Sequence, residues 1–172
     1  MMQFHTKRLE IRHIFDADRE LVIDLLTDNT VKQTYMIPDF ASREDAAKLF
    51  ERLKGLSQQE DRYISGIYLD GMFIGILNET EIKGNSIELG YAILPKFHNC
   101  GYCTEALSGA IQYLFSNGFA QVVTGAFEEN LPSIRVMVKS GMKKLDHQEE
   151  IEYRGVVHRC VYYAIQKTNP VA

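Results

Sequence analysis

His98-Asn99-Cys100-Gly101-Tyr102-Cys103-Thr104-Glu105-Ala106-Leu107 stands between a strand-like run, Ser86–Ile93, and a helix-patterned run over 104–117. A small-residue loop that opens a helix directly after a strand leaves several backbone N–H groups unpaired and pointing the same way. The helix dipole adds partial positive charge at that end, so the loop can hold a phosphate or pyrophosphate. The same ten residues contain Cys100-Gly101-Tyr102-Cys103, a C-x-x-C pattern that in other settings is a redox or metal motif. The choice between an anion-binding loop and a thiol site falls to the rest of the chain.

The run just before the loop divides by period two. Ile87, Leu89, Tyr91 and Ile93 face one way and read as core, with Tyr91 better placed as core than as chemistry. Glu88, Gly90 and Ala92 face the other way. A carboxylate followed by two tiny side chains on one strand face gives nothing to pack, which suits a trough where a ligand lies against the backbone. Glu88 at the end of that trough is a candidate general base. The competing reading is a solvated face with an ordinary Glu, or a bulge marked by Gly90.

Further outward, 8–14 alternates as a strand, and 16–27 carries Val22, Leu25 and Leu26 at helical spacing behind Asp16 or Asp18 as cap. The segment 29–41 has no clear period. Ser42, with Asp45 three residues on, opens a second helix that turns Ala46, Leu49, Phe50 and Leu53 inward. Asp70-Gly71 between 62–69 and 72–79 is a hairpin signal, and Lys83-Gly84-Asn85 turns into the strand before the loop. After the helix come a strand over Gln121–Phe127, a short helix over 132–140 and a hairpin of 142–153 and 156–165 around Arg154-Gly155. The order β α α β β β α β α β β predicts an α/β (α+β) fold. Its sheet is mixed and mostly antiparallel, with about seven strands flanked by about four helices, in a single domain over 4–167. Its ligand cleft belongs at the carboxyl ends of the strands around the crossover.

The totals narrow the class. The chain has 172 residues, 45% of them hydrophobic and 24% charged, with a formal net charge of −4. That balance fits one ordinary globular domain and gives no basic footprint for nucleic acid. Three cysteines make no disulfide framework, 1–12 lacks the apolar core of a signal peptide, and no apolar run is long enough to span a membrane. The expectation is a cytoplasmic protein with neither a nucleic-acid nor a membrane partner.

With these residues in place, the chain resembles the GNAT family of N-acetyltransferases over about 4–167. In that family a strand with a glycine-containing bulge leads into a Gln/Arg-x-x-Gly-x-Gly/Ala loop and then a helix. Gly101-Tyr102-Cys103-Thr104-Glu105-Ala106-Leu107 is close to its G-Y-A-T-E-A-L wording. A second block, from Asn130-Leu131-Pro132-Ser133 through Met137 and Lys139 to Gly141-Met142, looks like N-x-x-S-x-x-V-x-x-K-x-G-F. The wording of this second block, and of Thr6-Lys7-Arg8-Leu9-Glu10-Ile11-Arg12, is most similar to the subgroup that acetylates ribosomal-protein N-termini.

The resemblance implies acetyl-CoA as co-substrate, a primary amine as acceptor (a protein N-terminus or a small molecule) and no metal. It implies pyrophosphate held by the amides of His98, Asn99, Cys100, Gly101, Tyr102, Cys103 and Thr104, and a thioester polarised by an N–H near Ile93 or Leu94. Asn130 and Ser133 would line the pantetheine arm, with Glu88 and Ser133 as the catalytic pair. Arg135 and Lys139 read as a solvated helix face, with a place near the nucleotide's 3′-phosphate as the alternative, and His158 in the last hairpin reads as structural. The acceptor would meet 29–41, with Tyr35, Met36 and Phe40, and the Arg154-Gly155 turn, in a monomer or homodimer. Three positions depart from the family wording: His98 replaces Gln or Arg, Cys103 replaces Gly or Ala, and Met137 stands where many relatives carry Tyr. Two alternatives stay beside this reading. One is an acyl-CoA-binding module without turnover. The other is a C-x-x-C thiol redox protein, against which the motif's position after some four strands and two helices counts.

Overall fold

The alternating and helical apolar patterns meet in one mixed sheet, in a computed structural model that describes residues 2–168. Among those residues the strands are β1 (Phe4–His5), β2 (Leu9–Arg12), β3 (Ser65–Leu69), β4 (Met72–Lys83), β5 (Ser86–Ile93), β6 (Gln121–Phe127), β7 (Lys143–Tyr153) and β8 (Val156–Gln166). They lie in the order β1-β2-β3-β4-β5-β6-β8-β7. The helices are α1 (Arg19–Thr27), α2 (Arg43–Ser57), α3 (Tyr102–Ser116) and α4 (Leu131–Lys139), with 3-10 turns over Asp16–Asp18, Val31–Gln33 and Pro95–Phe97. The eighth strand, absent from the sequence pattern, is the two-residue β1, paired through Phe4 with Ile11.

Each sheet face has its own core. Ile87, Leu89 and Ile93 of β5 pack with Leu107, Ile111 and Leu114 of α3 and with Val122 of β6. On the other face Ala92 packs with Ile76 and Phe73 under Val22, Leu25, Ala46 and Phe50 of α1 and α2. Ala92 is buried where those helices lie over that end of the strand, and it still lies beside Gly90 along the trough. The turn chemistry agrees with the expected hairpins. Asp70 and Gly71 have φ of 48° and 79°, and Arg154 and Gly155 have 53° and 75°, paired positive values that match the twist of the flanking strands. The Ser42 hydroxyl accepts from the Asp45 N–H, as the capping pattern predicts.

The sheet has one parallel pair, and it positions the site. β5 and β6 are joined only at Ser86, Ile87 and Glu88, opposite Gln121, Val122 and Val123. Beyond Glu88 the two strands part, β5 staying with β4 and β6 with β8. The result is a V-shaped gap that opens toward the loop before α3 and the loop before α4. Its β5 wall is set by Gly75 of β4, opposite Ile93. A Cβ at Gly75 would overlap the Ala92 carbonyl oxygen and sit 2.8 Å from Ile93 Cγ1. Gly75→Ala should therefore lower stability by about 1–3 kcal/mol, the usual cost of overpacking, read as a fall in denaturation midpoint. A variant as stable as the parent would show that this wall is not tightly held.

Candidate active site

The V-shaped gap widens into a cleft of about 510 Å³. Gly90, Tyr91, Ala92 and Ile93 form one wall, Thr124, Gly125 and Ala126 the other, and the loop before α3 and the start of α4 form the rim.

The rim loop is built to present N–H groups. Asn99 and Gly101 both hold left-handed backbone, at φ of 60° and 81°, and Gly101 is the N-cap of the 15-residue α3. Alternating such conformations turns successive amides toward one concavity. The N–H groups of Phe97 and His98 close the preceding turn onto Leu94 and Pro95, and the first helical bond runs from Glu105 N to the Gly101 carbonyl. The amides from Asn99 to Thr104 lie between those two points, at the positive end of the helix.

What holds the loop in this shape comes from the distant N-terminal segment. Arg8 Nε donates to Glu105 Oε2 at 2.6 Å, its Nη1 donates to the Cys100 carbonyl at 3.1 Å, and its guanidinium lies 4.5 Å over the Tyr102 ring. Glu105 Oε1 also accepts from the Arg8 N–H and the Thr6 hydroxyl, each at 2.7 Å. Burial would raise the Glu105 carboxyl, but these hydrogen bonds outweigh it and hold the group below the ordinary carboxylate range. No local sequence signal marks this pairing. It joins residues 97 apart in the chain.

Five expected site residues take places that refine their roles. His98 turns inward, its Nε2 lying 2.8 Å from the Ile93 carbonyl, so it ties the loop to the end of β5 instead of offering its ring to a phosphate. Leu94 has already donated its N–H to the Ile74 carbonyl at 2.8 Å. Strand alternation then sends the Ile93 and Tyr91 N–H groups to the opposite side, toward the gap where β6 has left, so of Ile93 and Leu94 it is Ile93 whose amide is available. Cys100 stands on the outside of the loop, exposed, and does not line the cleft. Glu88 lies where β5 and β6 still pair, in a neighbouring concavity with Thr80, Glu81, Val123, His147, Glu149 and Tyr162. It shares a strand face with Gly90, two residues or about 6.6 Å along, but does not line the cleft itself. Burial pushes its carboxyl above the ordinary range, Glu81 and Glu149 add to that, and Lys83 opposes it.

The trough above Gly90 is furnished. Tyr35 Oη donates to Asn78 Oδ1, and a Cβ at Gly90 would come within 3.1 Å of that oxygen and 3.4 Å of the Tyr35 ring. The missing side chain makes room for this Tyr–Asn pair, which closes the front of the cleft. Tyr35 belongs to the unpatterned 29–41 segment, pinned by Tyr153 of β7. The Tyr153 hydroxyl donates to the Lys32 carbonyl at 2.8 Å and accepts from the Ile37 N–H at 3.3 Å.

At the other rim Asn130 caps α4. Its Oδ1 accepts from the Ser133 N–H at 3.2 Å, and its Nδ2 donates to Ser133 Oγ at 3.0 Å. The Ser133 hydroxyl proton is thereby left to point elsewhere. Tyr91 donates to the Ser133 carbonyl at 3.2 Å, a packing role that matches its reading as core. Met137 is wholly buried in the α3-side core and does not line the cleft. Arg135 and Lys139 line the cleft with exposed side chains and no ion-pair partner among the described residues. His158 stacks 4.2 Å from the Phe127 ring and pairs with Glu129, as its structural reading expects.

The two cysteines part company here. Cys103 lines the cleft, where burial pushes its thiol up to about 12, while Cys100 stands exposed outside it, and both are free thiols.

Comparison with known proteins agrees with this geometry. The family model described as an acetyltransferase (GNAT) domain matches residues 8–143. The uncharacterized N-acetyltransferase YnaD of Bacillus subtilis is 29% identical over 145 residues, covering 83% of this chain and 84% of its own. A GNAT-family acetyltransferase structure from Bacillus anthracis superposes with a TM-score of 0.83 at 26% identity, over 96% of this chain and 98% of that one. The ribosomal alpha-N-protein acetyltransferase RimL, solved in complex with coenzyme A, has a TM-score of 0.80 at 19% identity, over 94% and 95%.

Proposed function

The chain belongs to the GNAT acetyltransferase family, and from that premise we propose that it moves an acetyl group from acetyl-CoA to a primary amine by direct attack in a ternary complex. The acceptor is a protein N-terminus or a small-molecule amine. The observation that carries this reading is the divergence of β5 from β6 beneath a helix-opening loop of free amides. A nucleotide-tailed arm can lie in that gap with its pyrophosphate on the amides from Asn99 to Thr104. Arg135 and Lys139, on the cleft rim without an ion-pair partner among the described residues, suit the 3′-phosphate.

In the reaction the neutral amine nitrogen attacks the thioester carbon. The Tyr91 and Ile93 N–H groups face the gap, and the one level with the thioester is the donor available to the developing oxyanion. As the tetrahedral intermediate collapses, the carbonyl re-forms, the C–S bond breaks with its electron pair going to sulfur, and the departing thiolate takes its proton from solvent water. Ser133, its oxygen already held by Asn130 Nδ2, supports that thiolate with its free hydroxyl proton. The attacking nitrogen must shed a proton, and Glu88, set about one strand repeat from Gly90, receives it through a water. An α-amino group of pKa about 7.7–8.0 reaches its neutral form far more readily at pH 7 than a lysine-like amine of about 10.4. Proximity of two bound substrates supplies much of the rate, and no acyl-enzyme is needed.

The test is a steady-state assay of acetyl-CoA against a panel of N-terminal peptides and small amines, run beside a binding measurement. Turnover with at least one amine is expected. Binding without turnover on any amine would favour the non-catalytic acyl-CoA module, and no binding would end the reading. The cysteines serve as an internal check. Cys100→Ser with Cys103→Ala should keep acetyl transfer within about tenfold, a barrier change of about 1.4 kcal/mol. Loss of activity in that variant, together with insulin reduction by the parent, would restore the thiol alternative.

A further inference from the structure

Thr124 is out of place on the wall of the gap. It is 1% exposed, between Val122 and Ala126 on the same apolar face of β6, and its hydroxyl is sealed from the surface with no hydrogen-bond partner among the described residues. A buried hydroxyl left unpaired carries its full desolvation cost, and valine, of the same shape, would avoid it. The strand does not need the oxygen. The Thr124 backbone is registered with Tyr163 of β8, and β6 is otherwise apolar on this face.

Its position identifies the partner. Val123 is the last β6 residue paired with β5, opposite Glu88, so Thr124 is the first residue at which the strands part. It lines the cleft at the closed end of the gap, while the amide loop and Asn130 lie at the open end. A ligand anchored by its phosphates at the open end sends its other end toward Thr124.

We propose, resting on the acyl-CoA reading above, that the Thr124 hydroxyl positions the acyl donor by hydrogen-bonding the reacting end of the pantetheine arm. The groups available there are the thioester carbonyl and the amide next to it, both able to accept from a hydroxyl. The orphaned oxygen of the free protein is satisfied only when the donor is in place, which favours a fully seated arm over one held by its nucleotide alone.

The test compares Thr124→Val and Thr124→Ser with the parent. Apparent melting temperature is measured without ligand, and titration calorimetry uses acetyl-CoA and the nucleotide half of the cofactor, 3′-phosphoadenosine diphosphate. Thr124→Val should melt at or above the parent, bind acetyl-CoA about three- to tenfold more weakly, and bind the nucleotide half unchanged. Thr124→Ser, which keeps the hydroxyl, should recover acetyl-CoA affinity.

A Thr124→Val protein that melts lower or fails to fold overturns the proposal, since the hydroxyl would then serve the free fold. Unchanged acetyl-CoA affinity, or an equal loss for both ligands, overturns it as well. Parent protein that bound neither ligand would bring down the acyl-CoA reading along with this one, whereas a variant indistinguishable from a binding parent brings down this one alone.

Discussion

A Gly101→Val protein should fold and yet show no rise in melting temperature with acetyl-CoA. Gly101 sits at φ 81° as the N-cap of α3, a conformation that a β-branched residue avoids at a cost of about 1–2 kcal/mol. Valine would escape that strain by turning the peptide, and the amides on either side would no longer share one concavity. Folding should survive, because among the described residues beyond its chain neighbours an added Cβ would meet within 4 Å only Arg8 Nη2, at 3.5 Å, the end of a flexible side chain. In the parent, ligand at a hundred-fold excess over Kd stabilises by about 2.7 kcal/mol. For a domain of this size that is about 5–11 °C. Gly118, at φ 97° beyond the far end of α3, provides the control. Gly118→Ala should lower the unliganded melting temperature and keep the acetyl-CoA shift. An undiminished shift in Gly101→Val would mean that the loop amides do not carry the cofactor.

Features set by short-range chemistry were legible in the sequence, and the reason lies in particular residues. Asp70-Gly71 and Arg154-Gly155 each supply a glycine for the second positive φ of a two-residue turn, so both hairpins could be placed from two residues each. Gly101 could be placed for the same reason. Ser42 announces its helix because its hydroxyl bonds the Asp45 N–H within one turn.

Features set by distant partners stayed hidden. β1 is two residues long and leans on α3 where Gly109 has no side chain; a Cβ there would come 2.6 Å from Phe4. His98 reads as a phosphate ligand until the Ile93 carbonyl is found beside it. Leu94 and Ile93 are equivalent on paper, and only the bond to the Ile74 carbonyl separates the engaged amide from the free one. Glu88, Gly90 and Ala92 do share a face. The sequence could not show that α1 and α2 cover Ala92, that Tyr35 and Asn78 occupy the space over Gly90, or that Glu88 faces a concavity of its own. Thr124 became informative only once the end of the β5–β6 pairing was known.

Glu88→Gln should lower kcat by about 10²–10⁴-fold, the usual range for general-base assistance, while acetyl-CoA affinity stays close to the parent's because Glu88 does not line the cleft. The kinetic effect separates from stability through the sign of the pKa shift. Burial raises the folded-state carboxyl above the ordinary carboxylate range, so the folded protein binds the proton more tightly than the unfolded chain does. The stability this contributes is fully present below the ordinary carboxylate pKa and is lost as pH rises through the raised value. Glutamine has no such loss. The variant should therefore gain melting temperature relative to the parent as pH rises through that window, and at pH 7 be no less stable. Its pH–rate profile should lack the acidic limb if that limb reports Glu88, and acceptors of different amine pKa settle the assignment, since a limb that moves with the acceptor belongs to the acceptor. Replacing the base with a neutral isostere would thus give a protein at least as stable, still binding cofactor, and nearly inactive, a combination that unfolding cannot imitate. Parent-like kcat across pH 6–8 would instead make Glu88 a bystander in its own concavity, with proton transfer left to water.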